Sequence, residues 1–424
     1  LSVQHEELLR VMLAEKMIVR KDIDPLLEEC DKQSNISAKA AVLDYAGRNL
    51  EPADPFAEME KELAKMERQA KRFEKTGQLP ASELKKIWST KKLEDGTLEI
   101  TSYKGTDTTV SVPAVIGKTA VTAIGEKALS PLASRLTPEQ KRVRETLESV
   151  TIPAGVTEIG GSAFYGCANL TSVTIPEGVT EIGAWAFQGC ASLTSVTIPE
   201  SVIKISCGAF DGCSNLTSVT IPEGVTEIGF EAFSGCSNLT SVTIPEGVKK
   251  IGWNTFDGCS NLTSVTIPEG ITEIGHRAFD GCANLTSVTI PEGVTEIGNS
   301  AFYGCANLTS VTIPESGAEI GTRVFWGCTS LQSVTILEGA TEIGERAFKC
   351  CANLQSVTIP ESVKKIGYDA FYGCASLASV TIPESVTEIG VRAFSACTSL
   401  TIHASAGSRA EEYAKKYKIP FEAI

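Results

Sequence analysis

Histidine is scarce in this chain: three residues in 424, His5, His276 and His403, far apart in sequence. General acid–base and nucleophilic catalysis at neutral pH rely heavily on that side chain. No Ser-His-Asp, Cys-His or paired-carboxylate arrangement recurs around these three, so no catalytic residue is assigned. An excess of positive charge is also missing. The 38 Lys and Arg stand against 52 Asp and Glu, a net charge of −14. Such a chain has no basic footprint for a phosphate backbone, which argues against nucleic acid as a partner. No apolar run approaches the roughly 18 residues that carry a helix across a bilayer. Cys-x-x-Cys is absent despite 14 cysteines, and the 36 glycines form no phosphate-cradling loop. Thiolate zinc sites and nucleotide cradles are thereby disfavoured, and neither a metal nor a cofactor is expected. At about 150 residues per domain the length suggests two or three domains. With 42% apolar and 21% charged residues, wholesale disorder is excluded.

What the chain has is a period. Thr-Ile recurs with its Ile at 152, 175, 198, 221, 244, 267, 290, 313, 336, 359 and 382, always 23 residues apart. A Phe column from Phe164 to Phe394 and a Cys column from Cys167 to Cys397 keep the same step. Eleven copies without insertion or deletion make a solenoid, in which each unit stacks on its neighbours.

The unit reads L-T-S-V-T-I-P-E-G-V-T-E-I-G-x-x-A-F-x-G-C-x-N. From Ser172 to Ile175 polar and apolar residues alternate, the pattern of a half-buried strand. Pro176 removes a donor and ends the strand, and Glu177-Gly178 turns the chain. Val179–Ile182 is a second short extended piece. Ala186–Cys190 is too short for an α-helix, so a single 3₁₀ or helical turn is expected. Leu, Val, Ile, Val, Ile, Ala, Phe and Cys of each unit should face inward; Ile175, Phe187, Cys190, Phe233, Cys236, Phe279 and Cys282 are representative core positions. With parallel strands about 4.8 Å apart, eleven rungs give a sheet on the order of 50 Å long.

These units, for example Leu216 to Asn238, resemble the 23-residue leucine-rich repeats of BspA-like (treponemal) type, over residues 148–402. The resemblance implies an α/β solenoid, a right-handed superhelix with a parallel β-sheet, preceded here by a small α-helical region. It also implies a bacterial cell-surface molecule engaged in adhesion, with no catalytic residues to transfer. A cytoplasmic interaction protein is the alternative location.

The ends read as caps. Thr109–Pro113 and Val121–Gly125 repeat the signals in degraded form, with insertions near Ile116–Ala120 and around Thr137-Pro138-Glu139-Gln140, a helix start. Leu93–Ile100 reads as a hairpin with an Asp-Gly turn. The expected organisation is a helical region over 1–90, a β cap over 91–147, eleven repeats over 148–402 and a C-terminal cap over 403–424, helical from Ser408 to Lys418. Within 1–90, helices are expected at Glu6–Val19, Ile23–Glu29 and Ser37–Asn49. Phe56, Met59, Leu63, Met66, Ala70 and Phe73 form one apolar stripe, suited to packing within its own domain or to a coiled coil. The chain opens on Leu, so a natural N-terminus is expected to lie upstream.

Charge and variation are unevenly distributed. Residues 148–402 carry 25 acidic and 10 basic side chains, whereas 1–90 carry 17 and 15. Glutamates stand in two columns, one after Pro and one at Glu158, Glu181 and onward, broken by Lys204, Lys250 and Lys365. Solvated ladders are the expected outcome, with a weak divalent-cation surface as the alternative. The cysteine column reads as small buried hydrophobes, with Cys207 and Cys350 off the column as possible exposed thiols. The Asn-Leu-Thr column formally matches a glycosylation sequon, but a turn before a strand is the stronger reading, since Ser192, Ser330 and Ser376 replace Asn in other rungs. Variation concentrates in the two residues after Gly and the one after Phe, where Trp185, Phe230, Trp253, His276, Arg277, Arg323, Trp326, Arg346, Tyr368 and Tyr372 stand, with Tyr165 and Tyr303. Aromatics and Arg dominate interface energetics, and neutral drift does not favour Trp. The sequence therefore points to a non-enzymatic scaffold binding an unidentified protein or glycan, monomeric by expectation. A spacer or stalk for the helical region is the alternative.

Overall fold

The computed structural model describes residues 12–13, 23–32, 36–49, 79–316 and 319–424. Two compact units divide the chain, Leu1–Pro80 and Ala81–Ile424. In the first, helices α1 (Ile23–Lys32) and α2 (Ile36–Asn49) fall where the sequence places helices. They bury Ile23, Cys30, Ala38, Val42, Tyr45 and Ala46 with Leu13 in a small core of their own. The Phe56–Phe73 stripe, and Glu6–Val19 apart from 12–13, lie outside the described residues.

The second unit starts with α3 (Ala81–Ile87) and the antiparallel pair β1 (Trp88–Lys92) and β2 (Leu98–Tyr103). Leu84 and Trp88 enter the solenoid core, so 81–90 pack with the repeats although the sequence groups them with the helical region. The turn between β1 and β2 holds Gly96 at φ +89°, which suits glycine. After β3 (Thr109–Ser111), the strands β4 (Val115–Ile116) and β5 (Thr119–Ile124) form the first insertion as a hairpin. The second insertion carries α4 (Pro138–Glu145), with Thr137 as N-cap in a reciprocal capping box with Gln140. This helix delivers the buried Arg144 under the cap. Its guanidinium donates to the carbonyls of Tyr103 and Ser130 and to Ser102 Oγ. Burial draws its pKa down to about 10.

Most rungs contribute two strands, each kind stacking in parallel at a 23-residue register; the rung at Ser287 keeps only an isolated bridge to Ser264 in place of its first strand. Val196 pairs with Val219 and Ile205 with Ile228. The single sheet expected from the sequence is therefore two strand columns, because the Glu-Ile piece makes a ladder of its own. A third ladder replaces the expected helical turn. In Trp185–Cys190, Gln188 N and Cys190 N bond three residues back, while Trp185, Phe187 and Gly189 N–H donate to the next rung. A 3₁₀ helix cannot form there because Trp185 and Gly189 both sit at positive φ (+55° and +70°).

The inward set is as the unit predicts. Leu170, Val179, Ile182, Ala186, Phe187 and Cys190 are fully buried, with Val173 and Ile175 nearly so. Eleven phenylalanines stack from Phe164 to Phe394 at 5.0–5.7 Å, with rings within 10° of parallel. Such a pair contributes about 0.5–1.5 kcal/mol beyond burial. Cysteine is more than a small hydrophobe here. Cys190 Sγ donates to Phe164 O, Cys236 Sγ to Phe210 O and Cys282 Sγ to Phe256 O, each 3.3 Å away on the rung before. Helix α5 (Arg409–Tyr417) and the strand Phe421–Ala423 close the far end.

The ladders are not uniform. Both strand columns break together at one junction, between Ser218–Thr220 and Ser241–Thr243 and between Glu227–Ile228 and Lys250–Ile251, while the first column alone also breaks before Ser310–Ile313 and between Ser356–Thr358 and Ser379–Thr381. Gly229 N and Gly275 N donate to Ile205 O and Ile251 O, but Gly252 N makes no equivalent bond. Thr255 stands in this rung where nearly every other rung has Ala. It is buried, and its hydroxyl is turned onto Gly252 O at 2.9 Å.

Candidate interaction ridge

The variable positions line one edge of the solenoid, along the turn ladder. The second residue after Gly adopts the left-handed conformation in every rung, from Ser162 (φ +55°) to Arg392 (φ +58°). Of these residues only Gly208 is a glycine; a Cβ there would lie 2.3 Å from Trp185 Cδ1, so the indole rests where any other residue would displace it. Elsewhere Trp185, Glu231, Arg277, Arg323, Arg346 and Asp369 accept a backbone state that costs an L-residue about 1 kcal/mol or more.

Trp185, Phe230 and Trp253 are 40%, 48% and 59% exposed, unusually open for such large side chains. Trp253 leans on His276, with centroids 5.3 Å apart. His276 Nδ1 accepts from Asn299 N at 2.8 Å, and Asn299 Oδ1 from Thr322 N at 2.7 Å. Part of the role of His276 is thus to cap the next rung. Arg277 pairs with Asp280 at 3.0 Å. Together with Ser300, Tyr303, Arg323 and Trp326 these residues line an open groove of about 630 Å³.

Beyond the groove, Tyr303 meets Trp326 edge-on at 5.5 Å. Arg323 lies over the Trp326 ring at 5.5 Å and Lys349 over Trp326 and Tyr372 at 5.0 and 4.7 Å. Arg346 and Arg392 both lie over Tyr368, at 4.8 and 5.0 Å. At the centre is Asp369, whose side chain is wholly buried. It accepts from Lys349 at 2.9 Å and from Arg392 Nε and Nη2 at 2.9 Å each, with Arg346 at 3.8 Å. Burial alone would raise its pKa, but Arg392 and Lys349 together hold it below the usual aspartate value.

The ridge is polarised. Its middle rungs carry the half-buried Asp211 and Asp257 and the buried Asp280, and desolvation raises the pKa of each. For Asp257 the nearby Asp280 adds to the rise. The C-terminal rungs carry Arg323, Arg346, Lys349 and Arg392. The structure thus brings together eight of the ten sequence candidates, from Trp253 to Tyr372, and sets Trp185 over Gly208 nearer the N-terminal end. Sequence reasoning passed over Asp280, Asn299, Lys349, Asp369 and Arg392. They occupy the same variable columns, and a search for aromatics and Arg passes over all of them but Arg392, which that search should have found.

The other columns have structural partners. Lys204 reaches Glu181 at 3.8 Å and Glu227 at 3.2 Å, and Lys365 reaches Glu342 at 2.9 Å, so the lysines interrupt glutamate repulsion. Asn238, Asn261, Asn284 and Asn307 each donate Nδ2 to the Asn one rung before, at 3.1 Å. Among the described residues no group of three His, Cys, Asp or Glu is placed to hold a metal ion.

A family model described as BspA type leucine rich repeat region (6 copies) matches residues 143–263, 249–377 and 295–408, more than half of the chain. A leucine-rich repeat protein from Bacteroides ovatus is similar over 80% of this chain and 98% of its own, at 28% identity and TM-score 0.59. A leucine rich cell surface protein from Faecalibacterium prausnitzii is similar over 77% and 95%, at 35% identity and TM-score 0.51. No curated protein matches the chain. Period, inward residues, stacked ladders and this match agree, and the chain belongs to the BspA-type leucine-rich repeat family.

Proposed function

We propose that this protein is a non-enzymatic interaction scaffold that binds its partner along the turn ridge. The observation that carries the reading is the ridge itself. Large aromatic and cationic side chains from successive rungs form one surface, and Trp185, Arg277, Arg323, Arg346 and Arg392 among them occupy left-handed positions that glycine or asparagine would fill at lower cost. Many modest contacts on a rigid array give affinity without a deep pocket. A bacterial surface location and an adhesive role fit the family and the cell-surface relative from Faecalibacterium prausnitzii.

The test is binding of the labelled chain to an array of extracellular-matrix proteins and glycans, repeated with the double variant Trp253→Ala/Trp326→Ala. Both side chains lie outside the core, so the variant should keep its melting temperature. Array signals should fall at least about tenfold, as for loss of aromatic anchors. Unchanged signals would place binding elsewhere and favour the spacer reading.

A further inference from the structure

The C-terminal end of the ridge runs against the charge of the molecule. In repeats that are acidic overall, Arg346, Lys349 and Arg392 gather around Asp369, with Glu345 at the margin 4.0 Å from Arg346, and Arg323 continues the row over the Trp326 ring that it shares with Lys349. One feature makes this a pre-formed site for anions. The buried Asp369 carboxylate fixes Lys349 and Arg392, and Tyr368 lies beneath both Arg346 and Arg392, so ordering costs are met before a ligand arrives.

We propose that this end of the ridge binds a linear anionic glycan, bearing uronate or sulfate groups and lying along the solenoid axis. The inference rests on the reading of the ridge as the binding surface and names the ligand class. Rungs repeat about every 4.8 Å, close to the advance of one pyranose ring in a linear chain, so successive acidic sugars meet successive cations. Arg323 and Lys349 lie over the half-exposed Trp326 ring, and Lys349 and Arg392 over that of Tyr372, so the rings hold the cations in place, and guanidinium forks match carboxylate and sulfate. An added peptide strand has no edge to join here, because Arg323, Phe325 and Gly327 N–H already donate to Glu345, Ala347 and Lys349 carbonyls.

The experiment titrates heparin oligosaccharides, polygalacturonate, dextran and poly-glutamate into the full chain by calorimetry, at low and at physiological salt. At least one of the two anionic glycans should bind, more weakly as salt screens the charges. Dextran should not bind, and poly-glutamate should bind at least about tenfold more weakly than the glycan, because its carboxylates on flexible side chains do not repeat in register with the rungs. Arg323→Gln removes a guanidinium that makes no ion pair among the described residues, and should lower glycan affinity about tenfold with an unchanged melt. Arg346→Gln/Lys349→Gln/Arg392→Gln combined with Asp369→Asn leaves no stranded carboxylate and should abolish binding. Asp211→Asn, on the acidic stretch, should leave it intact. Failure of both anionic glycans to bind, equal binding of poly-glutamate, or wild-type affinity in Arg323→Gln would each overturn the proposal. If Trp253→Ala/Trp326→Ala loses array partners while neither anionic glycan binds, the ridge reading stands and the glycan assignment falls.

Discussion

A buried thiol in every rung is chemically quiet for two physical reasons. Burial disfavours the thiolate, which pushes Cys259 up to about 12, and the hydrogen on Sγ is already committed to a backbone carbonyl, Leu129 O for Cys167 and a phenylalanine carbonyl for the others. Cys207 and Cys350 escape both constraints because they sit in the turn columns and are half-exposed. Cys397, at the open end of its column, is also half-exposed, and its hydrogen bond with Cys374 draws its pKa down. At neutral pH a maleimide should therefore modify Cys207, Cys350 and Cys397 in the folded protein, while Cys259 and Cys282 react only in denaturant. Peptide mapping by mass spectrometry reads the order, and early labelling of Cys282 would contradict the packing described.

At the scale of elements, the weak point is set by hydrogen-bond pairing more than by apolar volume. The sequence directs attention to 313–340, where Gly317 and Ala340 replace Val and Leu337 replaces Pro, as the stretch that should open first. Gly317 lies outside the described residues, but around it the ladder is reinforced. Leu337 has the N–H that proline lacks and donates it to Ile313 O at 3.0 Å. The strands Ser310–Ile313 and Ser333–Ile336 consequently run four residues, one more than in most rungs. The gap lies at 228–250, next to the buried Thr255 hydroxyl. Hydrogen exchange at the Gly252 amide should be faster than at Gly229 and Gly275, and Thr255→Ala should slow it toward theirs. Equal protection of all three glycines in the wild type would count against a seam.

For the whole molecule, a stack of identical rungs must be closed at both ends, because each terminal rung would otherwise expose an apolar face. At the C-terminal end Tyr413 does this by two means. Its ring stands edge-on to Phe394 at 6.0 Å, and its hydroxyl accepts from Phe394 N at 3.2 Å. Burial pushes its pKa up to about 12. Tyr413→Phe keeps the ring but orphans a buried N–H, at a cost of about 1–2 kcal/mol. Tyr413→Ala uncaps the phenylalanine stack and should cost about 3–5 kcal/mol. Denaturant melts followed by near-ultraviolet circular dichroism should rank wild type above Tyr413→Phe and Tyr413→Ala last. Equal midpoints would mean that the stack needs no cap here.

Much of this architecture was legible because the same local constraint is written eleven times. Period, inward residues, the proline that ends the strand and the lysines that break the glutamate column all follow from the unit, since each acts within one rung or on its immediate neighbour. The N-cap at Thr137 and the Asp-Gly turn were legible for the same reason. Contacts between positions that the repeat leaves free were not. Asp369 gathers Lys349 and Arg392 from 20 and 23 residues away, and Arg144 reaches carbonyls at Tyr103 and Ser130 across an insertion that has no period. The positive φ of the second turn residue, which turned an expected 3₁₀ turn into a third ladder, was hidden as well. By itself the sequence determined a solenoid and its core, because burial repeats with the chain. Which side chains meet on its edge was decided only by the stacking of rungs, because reach and charge there depend on neighbours that the period does not specify.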